Sequence, residues 1–151
     1  MKDHPGYDAI VQALSGLFHL NGDPQSPPSR VGPSVLDYGS GMWVAIGCLA
    51  ALRERDRTGR GCIVDNSLLE TSLFYTGPSA ATLSMTGKAP PRLRAGIAKV
   101  VPFEAFPTAD GEVIVAAAND RLFQKLAAAT GLPELAEDER FLKNANRAVN
   151  K

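Results

Sequence analysis

The chain has 151 residues, 44% of them hydrophobic, with sixteen basic residues set against sixteen acidic ones. That length and composition allow one ordinary domain with a core of its own and exclude a disordered chain. The balanced charge leaves no global field to draw in nucleic acid or an anionic membrane, so an anionic ligand must be held by local charges. The leader Met1-Lys2-Asp3-His4-Pro5 lacks the apolar stretch of a signal peptide, and the later apolar runs read as too short to cross a bilayer. The expectation is a cytoplasmic protein with neither nucleic acid nor membrane as partner. Cys48 and Cys62 have no metal-ligand or pairing spacing and read as inert thiols of the core.

From Gly6 to about Phe18, the residues Tyr7, Ile10, Val11, Leu14 and Leu17 fall at helical spacing and predict one amphipathic helix. Residues 21–33 are dense in Gly, Pro and Ser and predict a loop, because Pro27-Pro28 and Gly32-Pro33 exclude regular hydrogen bonding. A second helix is expected from Ser34 to Arg57, stopped by Thr58-Gly59-Arg60-Gly61. Its middle carries Gly39, Ser40, Gly41, Ala45, Gly47, Ala50 and Ala51, small residues that let another backbone come close and predict burial in a domain or subunit interface. Cys62 to Asp65 reads as a short strand, and Asn66 or Ser67 can cap a third helix reaching about Leu83.

Residues 86–100 are rich in Pro, Gly and cations and read as a linker or extended arm. It separates a helical segment, 1–85, from a smaller part, 101–151. In the latter, Val101–Phe106 and Glu112–Ala117 alternate as strands around an Asp110-Gly111 pair that signals a hairpin. Asn119 is placed to cap a helix that Gly131 stops, Leu132-Pro133 opens another short helical piece, and residues 144–151 read as a frayed helix. The fold class is therefore α/β of an α+β kind: a helical segment with one short strand, then a small hairpin-and-helix domain.

Spacing alone offers no familiar catalytic motif: no nucleotide-binding glycine loop, no serine elbow, no paired-histidine or other metal site, and His4 and His19 stand in unrelated contexts. What stands out is Asp37 in Val35-Leu36-Asp37-Tyr38-Gly39-Ser40-Gly41, a carboxylate followed by residues that leave room for a bulky ligand. The plain alternative is a first-turn acid that complements the helix dipole, an effect of about 0.3–1 kcal/mol.

Three stretches together resemble the CaiB-BaiF group, the family III CoA-transferases that include formyl-CoA and carnitine CoA-transferases. They are Gly6-Tyr7-Asp8 running on to Gly16, Asp37-Tyr38-Gly39-Ser40-Gly41-Met42-Trp43 continuing to Gly61, and Pro102-Phe103-Glu104-Ala105-Phe106 through Gly111 with Asn119-Asp120. The similarity is continuous from Gly6 to about Asn146. It implies that Asp37 is the nucleophile: it attacks the thioester of a donor acyl-CoA, the released thiolate forms an aspartyl-CoA thioester, and an acceptor carboxylate finally takes the CoA. It also gives Gly39 and Gly41 a purpose, since backbone N–H groups without side chains can approach a developing oxyanion. Acyl-CoA and a carboxylic acid are then the substrates, with no permanently bound cofactor.

The related acyl-CoA racemases carry His in the motif equivalent to Gly6-Tyr7-Asp8, where this chain has Tyr7. A phenol titrating near ~10 is a poor proton shuttle, so transfer is favoured over racemisation. Tyr7 either packs or lines the CoA pocket. Met42 and Trp43 read as core or as acyl-pocket lining, and Arg92, Arg94 and Lys99 as a solvated loop or as contacts to CoA phosphates. Members of the family are longer, so the resemblance implies a truncated form or one part of a split enzyme, with a possible partner segment supplying the N-terminal part. Apolar faces left open by such a truncation predict a homodimer or higher oligomer. A non-catalytic binding or assembly module that keeps the fold is the competing reading.

Overall fold

The computed structural model describes residues 5–151, which form two compact units that meet in sequence between Arg92 and Leu93. Both are built mainly of helices, and the second adds a two-stranded antiparallel sheet.

The first unit holds α1 (Asp8–Leu14), α2 (Leu17–Leu20), α3 (Val35–Thr58) and α4 (Leu68–Thr86). The single helix expected over 6–18 is two helices. Gly16 adopts φ 82°, a left-handed conformation that cannot propagate an α-helix. The end of α1 is closed by the Ser15 N–H on the Val11 carbonyl at 2.9 Å. The 21–33 loop is held by side chains, with Asn21 Nδ2 donating to the carbonyls of Ser29 at 3.3 Å and Arg30 at 3.1 Å.

Helix α3 stops where Gly59, φ 71°, turns left-handed and gives its N–H to the Arg55 carbonyl at 2.7 Å. Only Leu36 and Gly39 on it are buried, so within this chain most of the small-residue stripe faces outward rather than into a core. Length and composition make α3 long and apolar enough to cross a membrane, with a mean hydropathy of 1.5 over an 18-residue stretch. This corrects the expectation that no such run exists: its many Gly, Ala and Ser residues hide the length of the uncharged stretch. A core helix meets the same criterion, and length and composition do not separate the two.

After α3 the chain returns along it in extended form. Val64 packs where Gly47 has no side chain, its Cγ1 lying 2.7 Å from the place a Cβ would take. The strand expected over Cys62–Asp65 is absent. The segment is extended, but a strand needs a hydrogen-bonded neighbour and none is present among the described residues. Cys48 and Cys62 are both exposed rather than core residues. Of the two possible caps, Ser67 begins α4 with a reciprocal capping box: its Oγ accepts from Glu70 N–H at 3.1 Å, and the Glu70 carboxylate accepts from Ser67 N–H at 2.9 Å.

In the second unit, β1 (Phe103–Pro107) pairs antiparallel with β2 (Glu112–Ala116), Phe103 opposite Ala116 and Pro107 opposite Glu112. Asp110 accepts from the Thr108 hydroxyl in the connecting turn at 2.9 Å. Asn119 caps α5 (Asp120–Ala129) by accepting from Leu122 N–H at 2.9 Å. Gly131, φ 78°, then leads into a 3-10 turn at Pro133–Ala136, and α6 spans Asn144–Val149.

The hub of this unit is Arg147, 1% exposed. Its guanidinium donates to the carbonyls of Val101 at 2.8 Å and Phe141 at 2.7 Å and to the Asp120 carboxylate at 2.9 Å, and it stacks 4.5 Å over the Phe123 ring. A buried cation is stable only when its donors are matched in this way. The Arg147 hydrogen bond, with Lys143 adding to it, holds the Asp120 carboxyl below the usual carboxylate range. A carboxyl depressed in the folded state stabilises fully above its unfolded value and loses that contribution as pH falls through the folded value. The 93–151 unit should therefore weaken below pH ~4, and Asp120→Asn should flatten that dependence in urea melts compared at pH 7 and pH 3. Arg147→Ala should cost roughly 3 kcal/mol by leaving buried carbonyls without donors, read by loss of amide protection confined to residues 93–151.

Candidate functional site

The first turn of α3 is built by α1. Asp8, 5% exposed, sends one carboxylate oxygen to the Leu36 N–H at 2.9 Å and the other to the Gln12 side-chain amide at 2.6 Å. Gln12, fully buried, uses its remaining oxygen on the Val31 N–H at 3.0 Å. Arg30 Nε lies 3.6 Å from Asp8. These groups fasten the end of the Pro-rich loop and the start of α3 to one face of α1.

Asp37 stands one residue beyond that contact, in the first turn, exposed to solvent. Among the described residues its carboxylate makes no hydrogen bond or ion pair. Tyr38 beside it is 69% exposed. The next residue turns inward: a Cβ on Gly39 would fall on the Tyr75 hydroxyl and lie 2.9 Å from the Thr71 methyl group of α4. Gly39 thus lets the two helices touch, and Ser40 and Thr71 join their hydroxyls across the contact at 2.8 Å. Asn66 completes it with bonds of 3.4 Å to the Ser40 carbonyl and to Thr71. Gly41 faces open space, with nothing within 4 Å of a Cβ position. The two glycines therefore do different things: one permits helix packing and the other leaves the approach clear.

Trp43 sets its ring edge-on to Phe74 at 5.3 Å, so it joins an aromatic contact between α3 and α4, and Met42 is exposed. Tyr7 is the residue before α1 and is also exposed; its neighbour Asp8 ties it to the α3 start. Arg92 binds the 23–26 loop, donating to the carbonyls of Asp23 at 2.9 Å and Ser26 at 2.7 Å. Arg94 and Lys99 belong to the second unit and have left-handed φ values of 55° and 66°; Arg94 pairs with Glu112. His4 lies outside the described residues. An apolar groove of about 610 Å³ runs between α1 and the start of α4, lined by Ile10, Val11, Leu14 and Leu68 among others.

Asp8 and Gln12 were not singled out as site residues by the sequence reading. Their signal is legible in retrospect: a carboxylate and an amide four residues apart share one helical face. What the spacing does not reveal is the N–H, twenty-eight residues on, that the carboxylate receives.

Comparison with known proteins places this geometry. The model of CoA-transferase family III matches residues 1–151. The chain belongs to that family. It is 38% identical over 151 residues to the acetyl-CoA:oxalate CoA-transferase of Acetobacter aceti, covering 99% of this chain and 39% of that protein. It is 36% identical over 147 residues to the succinyl-CoA–D-citramalate CoA-transferase of Chloroflexus aurantiacus, covering 97% of this chain and 37% of that one. Among solved structures, a CaiB/BaiF family protein from Brucella suis superposes with a TM-score of 0.73 at 32% identity, over 98% of this chain and 39% of the other. Rv3272 from Mycobacterium tuberculosis does so with a TM-score of 0.76 at 31% identity, over 97% of this chain and 38% of the other. The chain thus spans about two fifths of the length of these relatives.

The Gly39 contact yields a direct check. Gly39→Val should destabilise the first unit by roughly 1–3 kcal/mol, because Thr71 is buried and cannot retreat, whereas Gly41→Ala should change the urea midpoint little.

Proposed function

We propose that this chain carries the nucleophile of a CoA-transferase and moves CoA from an acyl-CoA thioester to a carboxylic acid through an aspartyl intermediate at Asp37. The observation that carries the reading is the state of that carboxylate: solvent-facing, without a partner among the described residues, and followed by a glycine that leaves its surroundings open. The named relatives are CoA-transferases acting on acetyl-CoA with oxalate and on succinyl-CoA with D-citramalate, which supports small dicarboxylic or related acids as acceptors.

The steps balance without any further reagent. An Asp37 oxygen adds to the thioester carbonyl and expels CoA thiolate, leaving a mixed anhydride. The thiolate then adds to the aspartyl carbonyl, releases the donor carboxylate and forms an aspartyl-CoA thioester. An acceptor carboxylate displaces the thiolate to form a second anhydride, and attack by the thiolate on the acceptor's carbonyl yields the new acyl-CoA and frees Asp37. No step needs a proton shuttle at an α-carbon, which suits Tyr7 where a racemase would require a titrating base.

Incubation with acetyl-CoA or succinyl-CoA, quenching with hydroxylamine and peptide mass analysis tests this directly. The expected result is a hydroxamate at Asp37 that Asp37→Asn abolishes. An unmodified Asp37, together with no CoA binding, would instead assign the chain to the non-catalytic binding or assembly role.

We also infer self-association. Apolar residues of α3 and α4 stand open to solvent, Leu49 at 68% and Phe74 at 66%, and open apolar surface of this kind is ordinarily covered in solution. Light scattering at micromolar concentration should give a dimer or larger species, and a clean monomer would contradict it.

A further inference from the structure

We infer that Asp8 is a positioning residue for the reaction: by capping α3 from another helix it takes over the role that Asp37 would otherwise fill, and so keeps the Asp37 carboxylate unengaged. This inference rests on the reading of Asp37 as nucleophile.

The first N–H groups of a helix have no partner within it and attract the nearest acceptor. Two acceptors lie within the α3 sequence itself. One is the hydroxyl of Ser34, the residue preceding the helix; it makes no capping bond and instead lies 3.4 Å from Arg30 Nη2. The other is the Asp37 carboxylate in the first turn, a position from which an acid is drawn toward the N–H groups and the positive end of the dipole. Neither is used. The Val35 N–H is satisfied by the Pro33 carbonyl at 2.8 Å, and the Leu36 N–H by Asp8 at 2.9 Å.

Asp8 is suited to this task in a way a surface residue is not. It is buried, and its second oxygen is fixed by Gln12 at 2.6 Å. Gln12 is itself fixed by Val31 N–H at 3.0 Å, three residues before Ser34. The cap is thus preorganised from α1, and no side chain of the α3 turn has to fold back to supply it. A carboxylate that accepts hydrogen bonds from helix N–H groups has its lone pairs and charge committed to them, and is correspondingly slower to attack a carbonyl. Delegating the cap leaves Asp37 with its full nucleophilicity.

The test combines kinetics with a stability cycle on the 151-residue chain. Asp8→Ala removes the distant cap, so the rate constant for adduct formation at Asp37 at saturating acetyl-CoA should fall by about tenfold, the equivalent of one charge-assisted hydrogen bond. The half-saturating acetyl-CoA concentration should stay within about twofold, since uniform binding is untouched. Adding Ser34→Asp to that variant supplies a local cap and should restore the rate. In parallel, Asp37→Ala should leave the melting temperature unchanged in the otherwise native chain but lower it by about 2–4 °C in the Asp8→Ala background, where Asp37 has become the cap.

A native rate in folded Asp8→Ala, or an equal melting loss from Asp37→Ala in both backgrounds, overturns the inference. Should Asp8→Ala not fold, Asp37→Ala in the native background still decides: no loss of melting temperature supports the delegated cap, and a loss of several degrees refutes it. A native chain that forms no adduct refutes the nucleophile reading instead, and the stability cycle still reports whether Asp8 or Asp37 caps α3.

Discussion

A helix that begins at the surface must dispose of its first amide protons, and the way α3 does so governs the rest of the first unit. The protons could have been met by water, by Ser34 or by Asp37. They are met in part by a buried carboxylate carried on a separate helix, which means that α1, the Pro-rich loop and α3 cannot form independently of one another. The Asp8 bond to Leu36 spans twenty-eight residues, and with the Gln12 bond to Val31 it ties the loop and the helix start to α1. From that anchor, Gly39 and the Ser40–Thr71 pair fix where α4 lies against α3. The exposed Asp37 is thereby displayed between Leu36, held by Asp8, and Gly39, packed on α4.

Most of the elements could be read from the sequence because their signals are local. Ser67 with Glu70 announces the start of α4, Asn119 that of α5, and Gly59, Gly87 and Gly131 mark stops where the chain turns left-handed. The hairpin follows from alternation around Asp110-Gly111. What failed to show was whatever depends on a distant partner. Cys62–Asp65 has the composition of a strand, yet composition cannot supply a neighbouring strand. Gly16 looked compatible with a continuous helix, because five apolar residues on one face outweigh one glycine in any periodicity argument. Cys48 and Cys62 carry the general habit of free thiols for a core, yet both are exposed. Asp37 drew notice for its glycine-rich surroundings, while Asp8, which organises those surroundings, was only part of a motif.

Membership of CoA-transferase family III and a length of about two fifths of its relatives belong together in reading the site. The first turn of α3 has every contact described above made by residues of the first unit. The first unit also holds an apolar groove and an exposed helix face. The chemistry proposed for Asp37 asks little of the chain beyond an unencumbered carboxylate, because thiolate and carboxylate exchange places without redox change or proton abstraction. Binding asks for more surface than reacting does.

The segment that returns along α3 after Gly61 has a consequence of its own. It is held in place by side chains, Val64 over Gly47 and Asn66 on the Ser40 carbonyl, and the backbone of Cys62–Asp65 takes no part in any hydrogen bond among the described residues. Ile63 stands 94% exposed at its centre. Its amides and carbonyls are met by solvent alone, so the extended form is kept without the cooperative hold of a ladder. Side-chain anchors at Val64 and Asn66 set the path of this stretch, and its main chain stays open to hydrogen exchange.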